Sequence, residues 1–355
     1  MTDLPLGNLH PALRRYWHPV CHISELDAGP VRVELMGEAL VVARLDGVAA
    51  AFPDQCPHRY ARLSDGIVVE GDLQCPYHGW RFGGDGRCTL IPALGPDSPA
   101  AGRVALAPAA VVEAHDLVHV ALEPPVAEPI DVPEWGAPGI TPVWLPPQRV
   151  RVGAGQFIDN FLDFAHFPFV HAGTFGAGED QLVGDYEVER RPGGLRVRYE
   201  HVIENHEDPG VATGERPLLQ PRVMEYTYQV PFTARLRIEL PLPGVENTIV
   251  AWAVPVDADE SVLHHVLLRN DIEDDEQARH AADYELSVLA EDLRVLEHLP
   301  TRDLELALPR QVHTRADRIT VELRRLLATA LDPTSAVPLP TPTPPHPPTP
   351  PSAGR

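Results

Sequence analysis

Two short segments of the sequence each carry one cysteine and one histidine. Cys56 and His58 lie in the string CPH, Cys75 and His78 lie in CPYH, and sixteen residues separate the two strings. Structural zinc sites usually take their cysteines from one segment and their histidines from another. In a [2Fe–2S] cluster with mixed ligands, one iron takes two cysteines and the other takes two histidines, so each clasping loop supplies one of each kind. The alternating pattern therefore favours a two-iron cluster over zinc.

A second group of possible ligands lies in the string NFLDFAHFPFVH, which begins at Asn160. Asn160, Asp163 and His166 are three residues apart, which places them along one side of a helix. His171 lies off that side, but Pro168 is expected to break the helix and to let His171 return to the same metal. Two histidines and one carboxylate on one face, with open positions, form the ligand set of mononuclear iron that reacts with dioxygen.

Both strings resemble motifs of one protein family. The segment CPHRYARLSDGIVVEGDLQCPYHGWRFGGDGRC is similar to the Rieske domain of aromatic-ring-hydroxylating oxygenases, and NxxDxxHxxxxH is similar to their mononuclear iron motif. The resemblance implies a Rieske [2Fe–2S] cluster on Cys56, His58, Cys75 and His78. Respiratory Rieske proteins carry one more cysteine in each loop; Ala61 and Tyr77 occupy those places here, which favours the oxygenase or ferredoxin branch.

The resemblance also implies a mononuclear Fe(II) on His166, His171 and a carboxylate of a late helix. The best match is the string AEDLRVLE, where family usage places the ligand at Asp292 and Glu291 is the alternative. In the trimers of this family, the aspartate matching Asp163 bridges a Rieske histidine of one subunit and an iron histidine of its neighbour. The resemblance places Asn160 near the iron.

The elements that must position these residues indicate an α+β protein. Short alternating strands between Val31 and Ala121, with Asp-Gly turns, predict a small antiparallel β domain over residues 1–125. A proline-rich connector follows. Strands that include Phe232 to Leu240, with one buried and one solvated face, and helices at Asp275 to Leu299 and Thr314 to Leu331 predict a helix-grip catalytic domain over residues 126–332. Residues 333–355 hold ten of the forty prolines and are expected to be a disordered tail.

Composition excludes several classes of function. The chain has 355 residues and a formal charge of −22, and all 29 of its basic residues are arginines. Such a charge disfavours binding to nucleic acid or to anionic membranes. No apolar run is long enough to span a bilayer, and no signal peptide is recognisable, so we expect a cytoplasmic protein.

The sequence predicts an oxygenase that depends on a partner. No dinucleotide-binding fingerprint follows a strand, so electrons must come from a separate ferredoxin or NAD(P)H-dependent reductase. That partner is expected to dock on arginines such as Arg59 and Arg81. The compact length and the AEDLRVLE helix resemble the short, homo-oligomeric monooxygenases, the group of caffeine N-demethylase, dicamba O-demethylase and vanillate demethylase.

We therefore expect a homotrimer that inserts one oxygen atom from O2 into a C–H bond of a small aromatic or heterocyclic compound, by hydroxylation or by O- or N-demethylation. Three alternatives remain open at this stage: a ring cis-dihydroxylating dioxygenase, a Rieske electron carrier without oxygenase activity, and a zinc-stabilised binding protein of the helix-grip type.

Overall fold

The computed structural model describes residues 5–96, 98, 101–176, 181–204, 208–239 and 245–332. The predicted proline-rich tail, residues 333–355, lies outside these residues, and so does Leu240. Within the described part of the chain, no helix is both long enough and apolar enough to cross a membrane.

The N-terminal part consists of three small antiparallel sheets. Their strand orders are β1-β10-β9, β2-β3-β4 and β5-β6-β7-β8. The third sheet follows the first cysteine loop and contains the second, and it shares a core with β3 and β4 that includes Val41, Phe52 and Leu73. The strands are β1 (His18–His22), β2 (Val31–Leu35), β3 (Glu38–Leu45), β4 (Val48–Pro53), β5 (Ile67–Val69), β6 (Asp72–Gln74), β7 (Arg81–Phe82), β8 (Cys88–Leu90), β9 (Ala110–Ala114) and β10 (Leu117–Ala121).

The predicted hairpin between β3 and β4 is confirmed. Asp46 and Gly47 both have positive φ angles, 47° and 82°, as a type I′ turn requires. Leu45 pairs with Val48 across this turn. The Asp-Gly dipeptide sets the register of the two strands that lead into the first cysteine loop.

The C-terminal part is built on one eight-stranded antiparallel sheet. Its strand order is β11-β18-β17-β16-β15-β14-β13, and β12 also pairs with β18. Together with the helices packed on it, this sheet confirms the predicted α+β class. The strands are β11 (Thr141–Trp144), β12 (Gln148–Val150), β13 (Val188–Arg191), β14 (Gly194–Glu204), β15 (Leu219–Gln229), β16 (Thr233–Glu239), β17 (Glu246–Pro255) and β18 (Ser261–Arg269).

Three helices pack against the sheet: α1 (Ala154–Phe161), α4 (Asp275–Leu296) and α5 (Arg318–Ala330). The predicted stripe Ile319, Leu323, Leu327 and Leu331 is buried, with each side chain at most 5% exposed. The helices are α1 (Ala154–Phe161), α2 (Phe167–Val170), α3 (Pro209–Ala212), α4 (Asp275–Leu296) and α5 (Arg318–Ala330). Single 3-10 turns lie at Pro11–Arg15, Ile23–Asp27, Pro92–Leu94, Ala101–Arg103, Leu308–Arg310 and Arg315–Asp317.

The predicted helix through Asn160, Asp163 and His166 is wrong in its extent. Helix α1 ends before Asp163, and Asp163 accepts a hydrogen bond from the backbone N–H of His166 at 3.1 Å. Pro168 does not break a helix but lies in the first turn of α2, where its missing N–H has no helical partner to lose. Asp163 competes for a backbone N–H that a continuous helix would need, which is typical of aspartate at helix boundaries.

The expectation of one solvated sheet face is also wrong for the strands near the centre. The proline-rich connector covers that face: Ile130 and Val132 pack with Trp252 of β17 and Val266 of β18. Arg235 of β16, which alternation assigns to the solvated face, is 6% exposed and donates to Glu134 of the connector. A stiff, irregular segment can therefore bury a sheet face when its polar groups find partners there.

Arg324 links α5 to α1 in the interior. Its guanidinium donates to both carboxylate oxygens of Asp159, at 2.5 and 2.7 Å, and its Nε donates to the carbonyl of Glu305 at 3.0 Å. Burial raises the pKa of Asp159, and the hydrogen bonds from Arg324 oppose that shift. Because Asp159 precedes Asn160 on α1, this pair fixes the helix that leads into the histidine segment.

Replacing Arg324 by alanine should lower the free energy of unfolding by about 3 kcal/mol, because it leaves the partly buried carboxylate of Asp159 without its partner. Urea denaturation of the purified protein measures this loss. The matched control is Arg325→Ala, one residue further along α5, where the side chain is 53% exposed and its ion pair with Glu322 is worth at most about 1 kcal/mol. Equal losses in the two variants would contradict a special role for the buried pair.

Candidate metal centres and the cavity beside them

The two cysteine loops have the same backbone design. In the first loop, the N–H of Tyr60 donates to the carbonyl of Cys56 at 2.8 Å; in the second, the N–H of Gly79 donates to that of Cys75 at 3.1 Å. Tyr60 and Gly79 both have positive φ angles, 61° and 69°. Each loop therefore closes a tight turn directly after its cysteine, and β4 and β6 hold the two turns in place.

The side chains of these loops fit a two-iron cluster. Cys56 and Cys75 are each 1% exposed, and burial, followed by contact with Cys75, raises the pKa of the Cys56 thiol to about 11. Metal binding must therefore displace a firmly held proton. The Nδ1 atom of His58 is buried and has no hydrogen-bond partner, so it is available to a ligand.

The four residues do not fit a single ion. Among the residues that the structure describes, one group of three or more possible ligands brings its donor atoms within 4.8 Å of one another, and it contains none of these four. The rings of His58 and His78 lie 4.5 Å apart, outside the buried cysteines. A mixed-ligand [2Fe–2S] cluster requires this arrangement, in which two cysteines bind the inner iron and two histidines bind the outer iron.

The histidine side of this centre faces solvent. His78 is exposed, and so is Tyr77, at 62%, whose ring lies 3.9 Å from that of His78. Trp80 stacks on His58 at 4.5 Å. Of the two arginines expected to bind a redox partner, Arg59 is exposed, but Arg81 is engaged with Glu70 at 2.7 Å and with Gln74.

The group that does converge is His166, His171 and Asp292. The two Nε2 atoms lie 3.2 Å apart, and Oδ1 of Asp292 lies 3.4 Å from Nε2 of His166 and 3.2 Å from Nε2 of His171. Oδ1 of Asp292 is buried and accepts no hydrogen bond. Two imidazoles and one carboxylate aimed at one point fit mononuclear iron, with the remaining positions open.

Electrostatics favour the charged forms of this group. Burial lowers the pKa of His166, but the neighbouring carboxylates of Asp163 and Asp292 outweigh this effect and raise the pKa to about 9. Burial would raise the pKa of Asp292, yet His166 and His171, with a contribution from Asn160, hold it well below the usual range. A metal cation takes the place of the proton that His166 otherwise holds against the carboxylate.

A second ring of side chains orients the two histidines. Oε2 of Glu291 lies 3.0 Å from Nδ1 of His171 and accepts a hydrogen bond from Thr174 at 2.7 Å. Oδ2 of Asp163 lies 2.9 Å from Nδ1 of His166. Each imidazole thus has a carboxylate on Nδ1, which fixes its tautomer and turns Nε2 toward the common point. Glu291, the alternative to Asp292 from sequence, contacts His171 from the far side of the ring.

A cavity opens on one side of this group, between the sheet and α4. The free space in it, counted together with the open solvent at its mouth, amounts to about 1020 Å³. Most of its wall is apolar. The apolar and aromatic lining residues are Phe161, Phe167, Phe175, Tyr226, Leu236, Ile238, Ile249, Leu267, Ala281, Tyr284, Val288 and Leu289.

A groove lies on the other side. Asp163 lines it, and Asn160 lines both the groove and the cavity, so Asn160 forms part of the wall between them. Acidic residues are frequent along the groove: Asp159, Asp163, Asp303, Glu305 and Asp317. Asn160, which the sequence places near the iron, therefore lies beside Asp292 and between the two openings.

Sequence analysis missed several residues of this region. Strand β15 was not predicted, because its inward positions begin with the polar residues Gln220 and Arg222, although the alternation itself continues through Met224 to Tyr226. His265 of β18 also lines the cavity. The polar wall residue Asn247 gave no signal, because a lone asparagine in a strand has no distinctive spacing.

Comparisons with known proteins agree with this geometry. A model of the Rieske [2Fe–2S] domain matches residues 16–113, and a model described as the vanillate O-demethylase oxygenase C-terminal domain matches residues 150–332. The second match covers β13 to β18 of the sheet together with α1, α4 and α5. An electron carrier would leave this second part of the chain without a function, and a zinc-stabilised binding protein would not explain the first.

Full-length relatives have the same organisation. Methylxanthine N1-demethylase NdmA of Pseudomonas putida is 30% identical over 324 residues, which is 89% of this chain and 88% of the relative. Dicamba O-demethylase oxygenase component of Stenotrophomonas maltophilia is 34% identical over 200 residues, which is 51% of this chain and 57% of the relative. The solved structure of NdmA with caffeine has a TM-score of 0.80 at 28% identity and covers 91% of this chain and 92% of that one.

The paired cysteine–histidine loops, the converging His-His-Asp group and these matches lead to one assignment. The cofactors are a Rieske [2Fe–2S] cluster and a mononuclear iron, and proteins of this kind draw their electrons from a separate reductase or ferredoxin. The chain belongs to the Rieske non-haem iron oxygenases, a family of oxidoreductases that includes the demethylating monooxygenases.

Proposed function

We propose that the chain is the oxygenase component of an N- or O-demethylating monooxygenase. The observation that carries this proposal is the His166, His171 and Asp292 group, which opens onto an apolar cavity on one side and meets Asp163 on the other. Full-length relatives include methylxanthine N1- and N3-demethylases, which supports demethylation over dihydroxylation. The cavity binds a methylated ring compound and excludes bulk water from it.

The overall reaction balances with one oxygen molecule. When bound, the cluster supplies single electrons and the mononuclear iron supplies the position where O2 is activated. The methylated substrate, O2, two electrons and two protons give the hydroxymethyl compound and water. The hydroxymethyl compound then releases formaldehyde and leaves the demethylated N–H or O–H group.

We assign the ligands as follows. Cys56 and Cys75 hold the inner iron of the cluster, and His58 and His78 hold the outer one. His166, His171 and Asp292 hold the mononuclear iron. Glu291 holds the proton on Nδ1 of His171, as its 3.0 Å contact supports, and so keeps Nε2 free for the metal.

Asp163 has a separate part in this proposal. It accepts a hydrogen bond from Nδ1 of His166 and is 23% exposed toward the acidic groove. A cluster that enters the groove would reach His166 through Asp163. We propose a homotrimer in which the exposed His78 side of one subunit's cluster enters the groove of the next, with Arg59 and Arg62 facing its acidic residues.

Demethylation of a methoxylated or N-methylated ring compound should release one equivalent of formaldehyde per O2 consumed, with a partner reductase supplying electrons. Labelled dioxygen should leave no labelled atom in the demethylated ring product, because one atom departs with formaldehyde, which exchanges its oxygen with water, and the other becomes water. The test uses mass spectrometry with caffeine, vanillate and dicamba as substrates, and benzoate as the unmethylated control. Two labelled atoms in one ring product would show cis-dihydroxylation instead.

Replacing Asp292 by alanine should remove the mononuclear iron and leave the cluster, so that iron content falls from about three to about two atoms per chain while the visible absorption of the cluster is unchanged. Glu291→Gln, next to it on α4, should keep the iron but weaken its binding about 10- to 100-fold, because only the tautomer of His171 is disturbed. Iron analysis and chelator competition measure both. Iron retained by Asp292→Ala and lost by Glu291→Gln would reverse the two assignments.

Replacing Asp163 by asparagine should slow product formation about 10- to 100-fold, because the uncharged amide supports His166 less well and interrupts the link between the two centres. Single-turnover experiments with the pre-reduced enzyme measure the rate. Iron content and reduction of the cluster by dithionite should be normal. Asp303→Asn, in the same groove but away from His166, is the matched control, and an equal effect there would indicate a general loss of negative charge.

A further inference from the structure

The cavity is elongated, and its far end is distant from the iron ligands. Strand β18 and helix α4 are consecutive elements, joined by residues 270–274, and both line the cavity along their length. His265 lies near the iron end, where the charge of Asp292 acts on it. Arg269 lies four residues further along the strand, about 13 Å away at the usual rise. On α4, Glu285 precedes Asp292 by seven residues, about 10 Å.

Asn247 of β17 is a polar residue at that far end. It pairs in the sheet with Arg269 on one side and Ile238 on the other, and its side chain lines the cavity. It is 9% exposed, and its Oδ1 is buried without a hydrogen-bond partner. A buried carbonyl oxygen without a donor is unfavourable unless a ligand supplies the donor.

The side chains of the cavity wall carry no excess of positive charge. Two arginines, Arg222 and Arg269, and three acidic residues, Glu204, Glu285 and Asp292, line it. Arg269 donates to both carboxylate oxygens of Asp271, at 2.8 and 2.7 Å, and the guanidinium of Arg222 lies 4.8 Å over the ring of Phe175. The wall side chains therefore provide no net positive charge with which to bind a carboxylate.

We propose that Asn247 is a specificity-determining residue, whose side-chain carbonyl accepts a hydrogen bond from an N–H or O–H group of an uncharged methylated ring compound. The inference rests on the proposed function in one respect: it assumes that the methyl group of the substrate is the end that lies near the iron. The recognised donor lies at the opposite end of the same molecule. After about 3 Å is allowed for the hydrogen bond, the distance along the cavity corresponds to one or two fused rings.

The test measures binding to the iron-loaded enzyme without oxygen, by calorimetry, so that it does not depend on turnover. One series compares caffeine, which has no ring N–H, with theophylline, theobromine and paraxanthine, which each have one. A second compares 4-methoxybenzamide with 4-methoxybenzoate. At least one donor-bearing xanthine should bind about tenfold more tightly than caffeine, and the neutral amide should bind more tightly than the anion.

Replacing Asn247 by leucine should abolish the preference for the donor-bearing xanthine and leave the affinity for caffeine within about twofold. Its melting temperature without ligand should be unchanged or higher, because an apolar group replaces an unpaired buried amide. Asn247→Ala gives the same comparison if leucine does not fit. Thr248→Val is the matched control: its Oγ1 is also buried without a partner, but on the opposite face of the sheet, and it should leave the preference intact.

Three results would overturn the inference: no donor-bearing compound preferred by the wild type, a preference that survives in Asn247→Leu, or tighter binding of the benzoate than of the benzamide. A melting temperature lowered by the leucine variant, together with equal loss of affinity for every compound, would assign Asn247 a purely structural role. Binding with the expected preference but no formaldehyde under turnover would instead refute the proposed function and leave the recognition by Asn247 standing.

Discussion

The structure depends on bringing two imidazoles and a carboxylate to one point in a buried place. His166 and His171 come from a short segment, whereas Asp292 comes from helix α4, 121 residues after His171, and their donor atoms lie within 3.4 Å of one another. Desolvation opposes this arrangement, since a buried carboxylate without a hydrogen bond on one oxygen is unfavourable. A cation bound at that point accepts a lone pair from each imidazole and neutralises the carboxylate. The unsatisfied oxygen of Asp292 is therefore a feature of a metal-binding site.

Rigid support is needed on both sides of that point. The sheet holds α4 and α1 on the same face, and the buried pair Arg324 and Asp159 fixes α1 where it leads into the histidine segment. The irregular turn between α1 and α2 then allows two histidines five residues apart to face one metal, which a continuous helix would prevent. The outer carboxylates Glu291 and Asp163 set the ring orientations. Loss of any of these supports would leave the ligands present but misaligned.

The sequence could predict the metal ligands, because only a few residue types bind iron. It could not predict all of the geometry around them. The cysteine and histidine spacing indicated the cluster, and the resemblance indicated Asp292, because few residue types bind iron. The stripe from Ile319 to Leu331 was predictable because packing imposes a helical period. The end of α1 was not, because the competition between Asp163 and the helix for one N–H is settled locally. Two further features could not be predicted: the packing of the connector on Trp252 and the position of Asn247 in the cavity wall. Both depend on contacts between distant parts of the chain, and the periodicity of a single segment gives no information about such contacts.

The two openings of the iron site explain why its polar residues are distributed unevenly. The cavity side is largely apolar, which strengthens each hydrogen bond made there. The groove side is acidic, and Asp163 there contacts His166 of the metal site directly. Asn160 lines both openings, beside Asp292. On the proposed function, substrate would occupy the cavity and the electron donor the groove, so the two would reach the same three ligands without sharing space. A substrate in the cavity would then change the surroundings of Asn160 and Asp292, while an electron that entered through Asp163 would reach His166 in the same group of ligands. The proposed function therefore needs contacts of only one residue on either side of the metal to link the two events, and no large movement of the fold.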